Sequence, residues 1–265
     1  MGRLLFLGSG ASLGVPVIGC TCSVCTSPSS FNRRFRPSVL IQTHQKQFLI
    51  DAGPDFRCQA LQYKIEYLDG LILTHAHHDH TGGLDDLRPF FYKLSGPLPV
   101  LLSEETSKDI QLRFHYVFKP LFQPLGIEKN NSDSRLNLQL LPEEIEGSVI
   151  FESVPIDFVT YEQARMAVNG YRFGDLAYLS DIRHYPQSIF RKLSGVKTLI
   201  ISALRSTPSL LHFSVIEAME FAKKIDAKYV WLTHISHEMD HEKTNASLPS
   251  HVRLAYDGLE VEFNS

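Results

Sequence analysis

Within residues 75–80 the chain places His75, His77, Asp79 and His80, four side chains able to bind a metal ion. They follow directly on the apolar run Gly70–Thr74, which predicts a buried strand. In an extended backbone alternate side chains share one face, so His75 and His77 can point at a single ion. A helical turn after them would carry Asp79 and His80 round to a second position. Imidazole suits zinc, manganese, iron or nickel, and carboxylate adds negative charge between two cations. A second group, Cys20, Cys22 and Cys25, offers three thiolates, one short of a tetrahedral structural zinc. Close cysteine spacing without a secretion signal points to metal or redox chemistry, with metal the first reading.

The stretch His75-x-His77-x-Asp79-His80 resembles the metal-binding signature of the metallo-β-lactamase-fold hydrolases. Three other landmarks occur in the family's order. Asp51 in LIDAG resembles a supporting aspartate ahead of the motif, Asp181 in AYLSD a metal-bridging aspartate, and His234 in WLTH a late histidine ligand. The resemblance spans nearly the whole chain and implies an α/β fold, an αβ/βα four-layer sandwich of two mixed sheets flanked by helices. It also implies two divalent ions: His75 and His77 on the first, Asp79, His80 and His234 on the second, and Asp181 bridging. His78 matches a position that is not a ligand.

The early Cys20-x-Cys22-x2-Cys25 paired with the late LTHISH is similar to the PhnP-like phosphodiesterase branch. That resemblance implies one structural zinc on Cys20, Cys22, Cys25 and His237. It also implies that His212 protonates the leaving oxygen. Arg205 and Arg88 are possible substrate contacts or simple ion-pair partners. The chain departs from the family in one respect. A third histidine for the first ion is expected before Asp181, yet none stands between His115 and Asp181. In residues 154–170, Asp157 or Gln163 could stand in as an oxygen ligand, or water could. The expectation is a lopsided site whose first ion is held more weakly.

The elements that must position these groups are legible in outline. Arg3–Leu7 reads as a strand. Ser38–Thr43 and Gln47–Asp51 read as a hairpin, and Pro54 as the start of a helix to about Glu66 with Cys58 buried in it. Val100–Ser103 reads as a strand and Glu104–Tyr116 as a helix. Tyr171–Phe173 and Leu176–Leu179 form a hairpin around Gly174-Asp175. Val196–Ser202 and Lys228–Thr233 are buried strands. Ser214 and Glu217 form a capping box for a helix to about Ile225. Val252–Ala255 and Leu259–Phe263 read as a closing hairpin around Asp257-Gly258. The polar stretch Glu128–Ser134 reads as a loop tip.

Composition sets the frame. The 265 residues are 43% hydrophobic with a net charge of -3, which excludes a disordered chain. No apolar run approaches the roughly 20 residues of a membrane span, and Met1–Leu7 lacks the form of a signal peptide. The expectations are a single domain over 1–265 and a cytoplasmic location. Near-neutral charge gives no reason to expect nucleic-acid binding, and a C2 homodimer is compatible with the sequence without being specified by it.

Two ions a few ångströms apart can bind a bridging hydroxide, lower its pKa and neutralise a phosphoryl oxygen. The function expected is therefore a hydrolase of a small cyclic or nucleotide-like phosphodiester, with His212 and Asp79 as catalytic residues. The alternatives are a tRNA-processing nuclease or a thioester hydrolase of the same fold. A third alternative, kept open by the absent histidine, is a non-catalytic cofactor-biosynthesis or binding protein. The nuclease would want a Lys/Arg-rich arm, and the thioesterase a C-terminal helical domain. Neither is found.

Overall fold

The computed structural model describes residues 1–91, 93, 96–118 and 135–265. Among these residues fourteen strands form two seven-stranded sheets. The first holds Gly2–Gly8 (β1), Ser38–Thr43 (β2), Lys46–Ile50 (β3), Gly70–Ile72 (β4), Leu98–Leu102 (β5) and Leu136–Leu140 (β6). The second begins with the meander Glu146–Phe151 (β7), Val154–Gln163 (β8), Met166–Phe173 (β9) and Leu176–Leu179 (β10). It continues in parallel through Thr198–Ser202 (β11), Tyr229–Thr233 (β12) and Val252–Leu254 (β13). The last strand, Glu260–Phe263 (β14), returns to the first sheet beside β1.

The period of two in a strand explains the layers. In β2, Val39 and Ile41 face the second sheet, where Phe158 and Tyr178 meet them in one core, while Leu40 faces outward. That outer face packs on the helix Phe56–Gln62 (α1) and on Ile110 of the helix Glu104–Arg113. In β11, Ile200 enters the core between the sheets, while Leu199 and Ile201 face Phe221 of Val215–Lys224, a helix opened by the Ser214–Glu217 capping box. The order helix, sheet, sheet, helix is the expected αβ/βα sandwich.

Four expectations need correction. Val252–Ala255 and Leu259–Phe263 do not pair: β13 lies in the second sheet and β14 in the first. The turn residue Asp257 instead accepts hydrogen bonds from Ser9 N at 2.8 Å and Phe35 N at 2.6 Å, so the chain crosses between sheets there. Helix α1 is shorter than expected, because Tyr63 already leaves the helix and caps it. Cys58 is exposed, since the inward positions of α1 are Phe56 and Gln59. The expected helix Glu104–Tyr116 is also broken, at Phe114, before a short helix His115–Phe118. The stretch Glu128–Ser134 lies outside the described residues.

Candidate active site

The side chains singled out by their spacing meet at the carboxyl ends of strands from both sheets. Asp51 follows β3, His75 follows β4, Asp181 follows β10 and His234 follows β12. Asp51, Asp181 and His234 all have left-handed backbones, with φ of 62°, 54° and 57°. Such conformations are uncommon for residues other than glycine and cluster at functional sites. The helical turn His78–Thr81 (α2) begins inside the motif and brings Asp79 and His80 back over the strand ends. His78 points to solvent.

The supporting hydrogen bonds decide which nitrogens face the centre. Asp51 accepts from Thr74 N at 2.8 Å and Thr74 Oγ1 at 2.8 Å, and meets His80 Nδ1 at 2.6 Å. His80 Nε2 is thereby turned toward Asp181 at 3.2 Å and Asp79 at 3.4 Å. Thr74 Oγ1 also meets His75 Nδ1 at 2.9 Å, which leaves His75 Nε2 facing His77 Nδ1 at 2.9 Å. His234 Nε2 faces Asp181 at 3.3 Å and Asp79 at 3.5 Å.

The charges of this cluster are those of a cation site. Burial opposes ionisation of Asp181, but His234 and His80 outweigh it and hold the carboxyl well below the usual range. Burial likewise disfavours a charged His80, yet Asp79, Asp51 and Asp181 hold it protonated. Burial, then the charge on His80, keeps His75 neutral. Without a metal, a proton on His80 therefore sits where positive charge is wanted. His80 Nε2 and His234 Nε2 are buried and make no hydrogen bond among the described residues although carboxylates face them. Unpartnered imidazole nitrogens converging on carboxylates fit divalent ions. His75, His80 and Asp181 bring their ligand atoms within 4.8 Å of one another, as do Asp79, His80 and His234.

His212 lies at the edge of this cluster, 8% exposed, with Nδ1 3.3 Å from Asp181 and its ring stacked on His234 at 4.9 Å. Of the two candidate oxygen ligands, only Gln163 is here: its Nε2 is 3.2 Å from His212 Nε2. Asp157 is engaged by Lys192 at 2.8 Å and by Ser148. Arg205 pairs with Glu238 at 3.2 Å, and Arg88 with Asp85. His44, His115, His184 and His251 are exposed, and His241 is buried against Arg34.

The second metal-type cluster joins the two ends of the chain. His237 Nδ1 lies 3.3 Å from Cys20 Sγ and 3.5 Å from both Cys22 Sγ and Cys25 Sγ. The loop that carries the cysteines is tied to the end of β12 by Ala11 N to Ile235 O at 3.0 Å and Ile235 N to Ser9 O at 3.0 Å. Cys22 is lowered to about 6, chiefly by the Cys25 backbone amide, which favours the thiolate a metal needs. Three sulfurs and one imidazole suit tetrahedral zinc.

Sequence reasoning missed the residues that brace the site. Tyr171 Oη donates to Leu73 O at 2.7 Å and Tyr161 Oη to Ser180 O at 2.6 Å, fixing the backbones next to Thr74 and Asp181. Asn169 donates to Thr74 O through its backbone at 2.9 Å. Arg113 donates to Ala76 O, between the first two histidines. Strand periodicity alone marks such residues only as core or edge positions.

Residues 46–235 match the family model of the beta-lactamase superfamily domain. An octanoyltransferase of Porphyromonas gingivalis is 35% identical across 98% of this chain, which spans 51% of that protein. Ribonuclease Z 1 of Schizosaccharomyces pombe is 26% identical across 77% of this chain, which spans 27% of it. The chain thus spans about half of the first curated relative and about a quarter of the second. A crystal structure described as a new diphosphatase from the PhnP family is similar at 36% identity and a TM-score of 0.89, over 99% of this chain and 97% of that one. With a sandwich of two mixed sheets and both side-chain clusters in place, the chain belongs to the β-lactamase superfamily, as a metallo-β-lactamase-fold hydrolase of the PhnP-like branch.

Proposed function

We propose that this chain, acting as one domain over residues 1–265, is a metal-dependent phosphodiesterase for a small cyclic or nucleotide-like phosphodiester. His75, His77, Asp79, His80, Asp181 and His234 would hold two divalent ions, and Cys20, Cys22, Cys25 and His237 one structural zinc. The catalytic ions would supply water activation and neutralise charge on the phosphoryl group.

His212 is the observation that carries the reading. It is buried beside Asp181, and among the described residues its Nδ1 makes no aligned hydrogen bond. An alkoxide leaving from phosphorus is a strong base and needs a proton, whereas a thiolate, with a thiol pKa of about 8–9, leaves without one. An imidazole poised at the cluster therefore favours phosphodiesters over thioesters. Burial and the charge of His234 lower His212 to about 4. A phosphate anion bound beside the ring opposes that and favours its charged form. Asp51 and Thr74 hold His80 and His75 with their Nε2 atoms toward the cluster, the orientation in which both would bind metal.

A second reading, acyl chemistry on a thioester, is favoured by the name of the 35%-identical octanoyltransferase, of which this chain spans 51%. A nuclease reading draws on ribonuclease Z 1 in the same way. One assay separates them. Metal-loaded protein is offered bis(p-nitrophenyl) phosphate, cyclic phosphodiesters, a precursor tRNA and an acyl thioester, with Asp79→Ala and His212→Ala in parallel. Turnover of the phosphodiesters, lost in Asp79→Ala, is the expected result. Turnover that survives Asp79→Ala, or that is confined to the thioester or the tRNA, overturns the proposal.

A further inference from the structure

The ester oxygen that leaves phosphorus must come to His212, so the group bonded to that oxygen extends over the loop that carries this ring. That loop, residues 204–213, joins β11 to the helix Val215–Lys224. Its ends are fastened: Leu204 N donates to Phe213 O at 2.9 Å, Val215 N to Arg205 O at 3.0 Å and Ser236 N to Leu204 O at 3.0 Å. Between these ties Leu210 and Leu211 stand directly before His212, 87% and 49% exposed. On the other flank of the segment that follows β12 lies the loop after β1. Gly8 stands opposite Ser38 and Val39 opposite Ile50, so β1 ends where β3 ends, beside the cluster. Beyond the tie to Ile235 this loop turns through Gly14 N to Ala11 O at 2.8 Å and Cys20 N to Val17 O at 3.0 Å. Leu13 and Ile18 within these turns are 71% and 99% exposed. A single exposed leucine is ordinary, but four such side chains on two braced loops that flank His234 make an apolar rim at a site. Charge decides what the rim suits. Residues 9–25 hold no Asp, Glu, Lys or Arg, and residues 204–213 hold one, Arg205. Arg205 is engaged by Glu238 at 3.2 Å and by the Pro208 carbonyl at 3.4 Å. A leaving strand of nucleic acid, charged at every phosphate, would lose water there and meet no uncommitted cation. An alkyl or aryl group gains by covering such a surface.

We infer that Leu210 and Leu211, with Leu13 and Ile18 on the opposite flank, form a subsite for the apolar body of the leaving alcohol. The substrate is then a phosphodiester in which one of the two alcohols is alkyl or aryl. The inference rests on the phosphodiesterase reading with His212 on the leaving side, and it names the group that departs. The oxygen of water bonds to phosphorus and the P–O bond to this alcohol breaks. The alcohol oxygen gains a proton, water gives one up, and a phosphomonoester remains.

Two measurements on the zinc-loaded full chain test it. The first is calorimetric binding of methyl(n-alkyl)phosphinates from ethyl to octyl, which carry the anion of a diester and no ester bond to cleave. Their Kd should fall about twofold per added methylene, half the free energy of burying one completely. The second is hydrolysis of uridine 5′-(n-alkyl phosphate) diesters of the same lengths. The products should be the alkanol and uridine 5′-phosphate, with kcat/KM rising along the series at a similar slope. In the double variant Leu210→Ser, Leu211→Ser both slopes should flatten to below about 1.3-fold per methylene, at the zinc content of the parent. Leu61→Ser, which removes an exposed leucine from α1, should keep both slopes. A Kd indifferent to chain length, slopes that the double variant retains, or release of uridine in place of the alkanol overturns the inference. So does a dimer in solution that the double variant dissociates, which would assign the rim to a second copy of the chain. Phosphinates that bind with this slope while no diester is hydrolysed would leave the apolar subsite standing and remove the phosphodiesterase reading. Diester hydrolysis without any dependence on chain length would do the reverse, so the two failures are distinguishable.

Discussion

A metal ligand is judged by the atom it presents and by what holds that atom in place. At the cysteine site, His237 Nδ1 and three sulfurs converge within 4.8 Å of one another, a donor set in which each would contribute one bond to a closed tetrahedral zinc. Replacing Cys22 with Ser should therefore lower bound zinc by about one ion per chain, measured by elemental analysis of the purified protein. An unchanged zinc content would refute that ligand set. The catalytic cluster is less even. His80 is oriented by Asp51 at 2.6 Å and shares carboxylates with His234, whereas His75 and His77 find no third histidine. A calorimetric titration of metal-free protein should resolve one tighter and one weaker catalytic ion, and two equally tight ions would exclude a lopsided site. At this scale the sequence was informative where chemistry leaves a local pattern: four candidate ligands in residues 75–80, three thiols in residues 20–25. It offered Gln163 only as a possible oxygen ligand and was silent on Tyr161, because a glutamine or tyrosine on a strand acquires its task only from a partner far along the chain. Gln163 and His212 are separated by 49 residues, and Tyr161 and the Ser180 carbonyl by 19.

The elements bring these side chains together through close backbone contact. Ala52 N donates to His80 O at 2.8 Å and Gly83 N to Ala52 O at 2.8 Å, so the turn after β3 lies directly on α2. A Cβ on Gly53 would stand 2.1 Å from the carbonyl oxygen of Asp79, a clash with backbone that no side-chain movement relieves. Gly53→Ala should push α2 off the strand ends, at about 1–3 kcal/mol of overpacking. The melting temperature should fall by several degrees. Catalytic metal should be lost while the zinc at Cys20, Cys22, Cys25 and His237 stays, since that site hangs from β12 and not from α2. Loss of both classes of metal together, or of neither, would contradict this. The strands that lead into the site were readable because they are short apolar runs buried on both faces, as in Gly70–Ile72 and Thr198–Ser202. The meander β7–β8 was not. Glu146–Phe151 mixes exposed and half-buried positions at a sheet edge, and Pro155 interrupts the donor pattern that a central strand would keep.

The whole molecule depends on one crossing that looks local in the sequence. Between β13 in one sheet and β14 in the other, Asp257 is half-buried and accepts from Ser9 N, Ser9 Oγ and Phe35 N. Beside it the buried Arg34 donates to Ser9 Oγ at 2.7 Å and to the Ala255 carbonyl, and meets His241 Nδ1 at 3.0 Å. The turn signal Asp257-Gly258 is thus used to fasten the amino-terminal loop to the carboxyl-terminal crossing, which is why a hairpin reading failed. The fastening has a measurable pH signature. Burial raises Asp257 to about 6 despite its donors and Arg34. An unfolded aspartate titrates near 4, so between these values the folded chain binds the proton more tightly. The stabilisation due to that proton is complete below about 4 and is lost as the pH rises through about 6. Asp257→Asn keeps the shape and removes the titration. The stability of the parent chain relative to Asp257→Asn should therefore fall by roughly 1–2 kcal/mol from pH 5 to pH 8, read from paired urea unfolding curves. His241 is lowered to about 4 by burial and Arg34, so its contribution rises with pH across the same window and masks the effect in the parent chain alone. It is present in both proteins, as are the metal-binding histidines, and to the extent that they titrate alike it cancels in the difference. A gap that is flat with pH, or that widens in favour of the parent as pH rises, would mean that Asp257 enters the folded state already charged and that the crossing is held by ion pairing with Arg34 instead of by a protonated carboxyl group.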